Sequence, residues 1–483
     1  MAELNQSGSL SPYTEVVPAS ARLGDVSKAS ILTSRRTMRI SPQGGQNYGT
    51  AGAGGANAQV NFLVSDAAGL IDPRSIRLNY FIQVAGTNTS VADDASVFTT
   101  TQISLNGSML DNLQNSARVA NIEARLGMSK SYYETAGSFQ GFSLLSPDQT
   151  TTAASQWGNV FANTTDLSTM YKKAAGVQSG NFAGLQVSIP LGCLSGFGRM
   201  KTYVPISILG DLQINLIAGS NTDVLYQNGA VTADATFSLS GVSLEYDIIT
   251  ASPAYMSLLK EIAMNDARGL VMPFESTICS QAGAIAASAS AITENTLIVS
   301  RATQNLLRAS VVLIPTAGVS SYAAPSQSLF SHAATASVQF RAGSSVYPQL
   351  PAFGDASMFN MSLSAYGSPT QETGSVINRS LWCNSTNVGT QGTAAVYETA
   401  QALSGGSARF AGADSFIPTY GFATYKGGVE SPDVDGVNLS SASGAQLICS
   451  VVGAPQTAYS PFVSLVALKF IKAQGGAVSV LGA

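Results

Sequence analysis

The sequence predicts an all-β protein built as two tandem β-sandwich domains, and three observations carry that expectation. Apolar and polar residues alternate with period two in many short runs, the mark of half-buried strands. Helical spacing is confined to two stretches. At 483 residues the chain is too long for one ordinary domain and suits two of roughly 200 residues each.

Residues 1–36 lack periodicity, carry Pro12 and Pro18, and read as an extended N-terminal arm. The glycine-rich stretch 44–55 can only be a loop. Strands are then expected at Gln59–Val64 and Ser75–Val84, separated by a turn at Asp72-Pro73. Val97–Leu105 reads as a strand closed by Asn106-Gly107, a strong hairpin signal. From Met109 to about Lys130, Leu110, Leu113, Val119, Ile122 and Leu126 fall near helical spacing, and Gly127 could end that helix. Further β-like runs are Leu185–Pro190, Tyr203–Ala218 and Ala235–Ile249.

Residues 251–269 form the second helix candidate, started by Ser252-Pro253 and ended by Gly269. Standing alone between two strand-rich stretches, it is the expected connector between a first domain, 37–250, and a second, 270–483. In the second, strands are expected at Thr296–Ser300, Ala309–Ile314, Ser337–Phe340, Ala445–Val452 and Phe462–Ile471. A Gly/Ser/Thr-rich insertion occupies about 365–440. No repeat of 20 to 50 residues is apparent, which disfavours solenoids and propellers. Two β-rich halves with long loops suit sandwiches, and jelly rolls accommodate such loops at their ends.

Only 11% of the residues are charged, against roughly 25% in an average soluble domain. Mean hydropathy is +0.18. Ser, Thr, Asn, Gln and Gly must wet most of the surface. A secreted β domain or a subunit that hides its sides in an assembly would look this way. Neutral faces lower the electrostatic cost of bringing identical copies together. A net charge of −4 argues against a chain that grips nucleic acid along its whole length. No signal-peptide pattern and no run of 18 apolar residues is present, so synthesis and assembly inside the cell, with no membrane span, are expected. The sequons at Asn88, Asn163 and Asn378 then follow simply from composition.

No catalytic, cofactor or metal constellation is encoded, so the chain is read as not an enzyme. His332 is the single histidine, without the nucleophile motifs that a hydrolase triad needs, and reads as a loop or packing residue. Asp93-Asp94 and Asp433-x-Asp435 lie in polar sequence and read as turn caps. The latter lacks the later Glu of a calcium loop. Cys193, Cys279, Cys383 and Cys449 include no C-x-x-C pair and read as buried free thiols, although their even count permits disulfides. Arg22, Lys28, Arg35, Arg36 and Arg39 form a locally basic group around the arm. They either touch phosphates of a nucleic acid or make local salt bridges, and Glu3, Glu15 and Asp25 dilute their charge.

The order of these features resembles the double-jelly-roll major capsid proteins of the polinton-like virus and virophage group of DNA viruses. Four places carry the resemblance. Met38–Pro42 through Val60–Val64 to Asp72–Tyr80 is similar to the first strand pair. Ile103–Leu110 runs into a helix at Asn112–Arg125. Val187–Leu191, Val204–Leu209 and Leu212–Leu216 are similar to the strands closing the first jelly roll. Val338–Pro348 resembles a segment of the second. The resemblance implies homotrimers whose six jelly rolls form a nearly hexagonal capsomer. Such capsomers tile an icosahedral shell around a DNA genome, with neighbouring capsomers, penton and minor capsid proteins as partners. Other readings are another virion structural protein, such as a fibre, or a carbohydrate-binding β protein. The first should show short repeats and the second exposed aromatic platforms, yet Trp157 and Trp382 are the only tryptophans.

Overall fold

The computed structural model describes residues 32–49, 55–65, 69–85, 89–91, 97–129, 185–227, 235–266, 269–288, 291–301, 303–319, 330–366, 415–422, 436–439, 446–455 and 457–482, with residues 132, 136–137, 140, 327, 377 and 382. The strands are β1 (Leu32–Ile40), β2 (Gln59–Val64), β3 (Gly69–Ala85), β4 (Thr89–Val91), β5 (Phe98–Leu105), β6 (Ser108–Gln114), β7 (Leu185–Pro190), β8 (Leu212–Ala218), β9 (Leu225–Gln227) and β10 (Thr236–Ala251). After them come β11 (Leu270–Gln281), β12 (Thr293–Ser300), β13 (Leu306–Pro315), β14 (Thr335–Ala342), β15 (Ser345–Phe353), β16 (Thr419–Gly421), β17 (Gln446–Gly453), β18 (Tyr459–Gln474) and β19 (Ala477–Leu481). Among the described residues three helices exceed one turn: α1 (Ser116–Gly127), α2 (Pro253–Asn265) and α3 (Asp355–Tyr366).

The strands before α2 form two antiparallel sheets, β1-β10-β3-β7 and β2-β8-β5-β6, beside the short β4–β9 pair. Those after it form β11-β18-β13-β16 and β12-β17-β14-β15, with β19 added to β18. Setting aside β4, β9 and β19 and numbering each half's strands one to eight, both halves read 1-8-3-6 and 2-7-4-5. That shared order is the jelly roll, two interlocked Greek keys, and the chain carries it twice.

Alternation makes each sandwich. In β2, Val60, Phe62 and Val64 point inward while Gln59, Asn61 and Leu63 face out. Across the first sandwich Tyr80 meets Phe98 edge to face at 5.6 Å. In the second, Leu297, Val299, Val338, Phe340, Leu447 and Val451 supply the matching layer. One continuous apolar core runs through both halves. Helix α2 starts as its sequence suggests, with Ser252 Oγ accepting from the Tyr255 amide and Pro253 in the first turn. It covers Leu70, Ile249 and Ala251 with Tyr255, Met256 and Leu259.

Several sequence expectations need correction. Strand structure begins at Leu32, inside the segment 1–36 expected to be an arm, because β1 pairs along β10. Asp72-Pro73 is no turn between strands. It lies within the long β3, at a register shift against β10 where Pro73 costs no ladder bond. Met109–Gln114 is strand and not helix, since the left-handed Asn106 and Gly107 fold β6 back on β5, and α1 starts only at Ser116. Ile206–Leu209 makes one helical turn instead of strand, ended by Gly210 at φ 97°. Helix α3, unmarked in the sequence reading, runs to Tyr366, across the expected start of the 365–440 insertion. Within that span, Phe416 and Ile417 join the core and β16 pairs with β13.

Candidate functional site

A group of buried polar side chains lies where the two sandwiches meet, and α1 organises it. Val119, Ile122 and Leu126 pack into the core, as their spacing suggests. The polar face would ordinarily be wetted, yet Arg118, Asn121 and Arg125 are buried as well. Arg118 stacks 3.6 Å above the Phe462 ring, and Arg125 stands 5.0 Å from that of Phe330. Arg125 Nη1 donates to Ser415 Oγ at 3.0 Å. Asn121 Nδ2 reaches the Gln327 carbonyl at 3.3 Å. Each of these partners belongs to the second half of the chain. Burial pushes the Arg118 pKa down to about 10, and the guanidinium still carries its charge at neutral pH.

Beside α1 sits a charge quartet, two groups from each half. Arg308 Nη2 donates to Glu123 at 2.9 Å and to Glu275 at 3.3 Å. Arg199 Nη2 approaches Glu275 at 3.1 Å, and its Nη1 lies 3.6 Å from Glu123. Tyr366 OH donates to Glu123 at 3.0 Å, with Arg308 lying 4.7 Å over its ring. Burial acts to raise the Glu275 carboxyl, but Arg308 and Arg199 outweigh it and hold the group below the usual carboxylate range. Burial likewise opposes the charge on Arg308, and the two glutamates raise it well above its ordinary value.

A third contact joins β6 to β11. Asp111, 2% exposed, accepts from Ser195 Oγ at 2.5 Å and from Ser276 Oγ at 3.0 Å. Burial raises its carboxyl, and the two hydroxyls only partly offset that. The backbones meet closely too. A Cβ on Gly196 would fall 2.0 Å from the Glu275 carbonyl oxygen, so only glycine fits. The whole junction fixes one sandwich against the other.

The outer faces differ in character. Across β2-β8-β5-β6 the register aligns Asn61, Asn215, Gln102 and Asn112 in one row. Asn215 donates to Gln102 at 2.8 Å and Gln102 to Asn112 at 3.4 Å. This is the uncharged wetted surface that the composition calls for. The outer face of β1-β10-β3 carries charge instead, around an open depression of about 460 Å³.

Three residues of the sequence-predicted basic group fall there. Arg35, Arg36 and Arg39 lie on β1 and are exposed, while Arg22 and Lys28 lie outside the described residues. Arg35 pairs with Asp247, which also accepts from Thr37 Oγ1 at 2.6 Å. Burial opposes the Asp247 charge, but the Thr37 and Arg35 bonds keep its carboxyl below the usual range. Arg39 Nε reaches Ser243 Oγ at 3.0 Å and lies 3.9 Å from Glu245. Arg35 and Arg39 thus make local bridges to β10.

His332 packs against Phe416 with ring centroids 4.4 Å apart, and its Nε2 lies 2.6 Å from Asp355. Cys279 and Cys449 are buried free thiols and Cys193 is a half-buried one, while Cys383 lies outside the described residues. So do Asp93, Asp94, Asp433, Asp435, Trp157 and the sequon residues Asn88, Asn163 and Asn378. Among the described residues no three His, Cys, Asp or Glu side chains gather to hold a metal, and no helix is long and apolar enough to cross a membrane.

The fold and its junction define the class: a double jelly roll with two sandwiches fused in one chain. Solved structures share it across nearly their whole length. PBCV-1 VP54, fitted into a reconstruction of the virophage Sputnik, superposes with a TM-score of 0.54 at 10% identity, over 94% of this chain and 98% of that one. The Sputnik virophage structure itself matches at 0.52 and 12% identity, covering 99% and 93%. The Faustovirus major capsid protein matches at 0.51 and 8% identity, covering 92% of each chain. No protein-family model and no curated protein matches the sequence.

Proposed function

We propose that this chain is a viral major capsid protein. It self-assembles into homotrimeric, pseudo-hexameric capsomers that tile an icosahedral shell around a DNA genome. The observation that carries the reading is the doubled strand order, 1-8-3-6 and 2-7-4-5 in each half, locked by a buried junction. Three such chains supply six like units, which suits a closed hexagonal tile. The neutral amide row across β2-β8-β5-β6 supports close contact between copies at little electrostatic cost. The likeness to Sputnik and Faustovirus capsid structures supports the same role.

In this reading the protein is a scaffold and not an enzyme. The likeness to structural capsid proteins supports that. Its partners are further copies of itself, neighbouring capsomers, and penton and minor capsid proteins, with assembly inside the host cell and residence in the virion. The basic group Arg22, Lys28, Arg35, Arg36 and Arg39 is the proposed contact with the genome or an inner component; Arg35 and Arg39, though bridged to β10, keep 63% and 59% of their side chains exposed. Light scattering and negative-stain imaging of the purified chain test the reading. A mass three times that of the chain and pseudo-hexagonal particles are expected. A stable monomer at all concentrations overturns it.

A further inference from the structure

Inside one chain the two units meet in a definite way. The fifth strand of the first unit, β6, lies against the first strand of the second, β11, through Asp111 and Ser276. Beside that contact, two arginines of α1 in the first unit sit on aromatic rings of the second: Arg118 on Phe462 and Arg125 on Phe330. Because both units have the same strand order, each end of the chain carries an unused half of that contact. The fifth strand of the second unit, β15, is an edge strand, as is the first strand of the first unit, β1.

The unused β15 half has the composition of a docking surface. Leu350 is 81% exposed and Phe353 75%, the two most exposed large apolar side chains among the described residues. They stand on a fixed support. Gln339 Nε2 donates to the carbonyls of Pro348 and Gln349, at 3.0 and 3.2 Å, and pins the segment where the register against β14 shifts. Pro348 and Pro351 leave this edge short of amide donors, so another strand cannot simply extend the sheet. A partner must therefore be met by side chains. The β1 side offers Arg39, exposed and charged, while Met38 and Ile40 on either side of it turn inward against the core. Arginine stems and planes cover aromatic rings well.

We infer that Leu350 and Phe353 on β15 of one copy dock against the β1 side of another copy, around Arg39, so that β15 and β1 meet between chains in the places that β6 and β11 hold within one, with arginine and aromatic exchanged between the two sides. The inference rests on the trimeric reading above and names the surfaces that would close it.

The test compares three variants with the natural chain by sedimentation over a concentration series, with circular dichroism to follow the fold. Leu350→Asp/Phe353→Asp is expected to weaken association roughly tenfold or more, as loss of buried anchor residues does. Arg39→Ala is expected to weaken it in the same direction from the other side. Ile292→Asp/Ile298→Asp, exposed apolar positions at the opposite edge of the same sheet, is expected to associate like the natural chain. In the natural chain, hydrogen exchange should slow at residues 32–40 and 345–353 on assembly. If the natural chain forms trimers while the β15 and β1 variants associate unchanged and those segments gain no protection, this inference falls and the capsid reading stands. If the natural chain never associates, both fall.

Discussion

Replacing Arg308 with methionine removes the cation that bridges two buried glutamates. Arg308 lies 2.9 Å from Glu123 and 3.3 Å from Glu275, and the three side chains are only 10 to 14% exposed. At an effective dielectric of about 20, each contact near 3 Å is worth roughly 5 kcal/mol of gross attraction. Desolvation of the guanidinium cancels several kcal/mol of that. Arg199 remains beside both carboxylates but cannot balance them alone. The expected net loss is about 3–5 kcal/mol, the range for breaking a buried pair and stranding its partner. Urea unfolding followed by fluorescence measures it, and a second, separate transition should emerge as the sandwiches uncouple. The exposed pair Arg39–Glu245, 3.9 Å apart, provides the comparison: its removal should cost about 0–1 kcal/mol. A double variant, Arg308→Met with Glu123→Gln, should recover part of the loss. An Arg308→Met loss no larger than that of the exposed pair would refute the view that the quartet is a buried lock.

Two carboxyls at the junction should respond to pH with opposite sign. Glu275 is held low in the folded state, so its contribution is present above the ordinary carboxylate pKa of about 4.3 and fades as pH falls through the folded value. Glu275→Gln should therefore cost most at neutral pH and progressively less in acid. Asp111 is held high, so its contribution exists below about 3.9 and is lost as pH rises through the folded value. Asp111→Asn should gain stability relative to the natural chain as pH climbs from 3 to 7; unfolding curves with parallel pH profiles would contradict both assignments. Gly196→Ala should destabilise by about 1–3 kcal/mol or more through overpacking against Glu275, whereas Gly283→Ala, with open space around it, should be close to neutral in the same melts. Burial pushes the thiols of Cys279 and Cys193 up to about 11 and about 12, and raises Cys449 as well. A thiol reagent at pH 8 should leave Cys193, Cys279 and Cys449 unlabelled until denaturant is added, and rapid labelling of any of them in the native state would count against the core described.

The sequence disclosed its strands wherever one face is buried and the other wet. The alternations in β2, β12 and β17 follow that rule, as do the hairpin at Asn106-Gly107 and the Ser252-Pro253 helix start. It misled where two periods coincide. Leu110 and Leu113 fit a helix and a hairpin strand alike, and the turn before them decides the matter. Helix α3 was hidden because hydrogen bonds share the work of its buried face. Ser362 Oγ donates to the Ile417 carbonyl at 3.1 Å and accepts from the Thr419 amide at 2.9 Å, so a buried position reads as polar. The junction was the least legible of all. Glu123 and Arg308 stand 185 residues apart, and no local pattern tells a buried arginine from a wetted one.

That illegibility bears on why a chain with so few charges places a quartet of them in its junction, beside Arg118, Arg125 and Asp111. Apolar contacts alone are non-directional and would tolerate sliding of one sandwich over the other. Arginine forks and carboxylates are directional, and stranding any one of them underground is costly. On this reasoning the quartet specifies register more than it adds stability. Replacing Glu123, Arg199, Glu275 and Arg308 together with apolar residues of similar volume should then leave the unfolding free energy within about 1–4 kcal/mol of the natural chain, and in some combinations raise it. What should suffer is the uniqueness of the junction. Amide exchange at α1 and β11 should speed up, and capsomers should form in lower yield or with irregular outline. A fully apolar quartet that keeps slow exchange and assembles as well as the natural chain would show that shape alone sets the register.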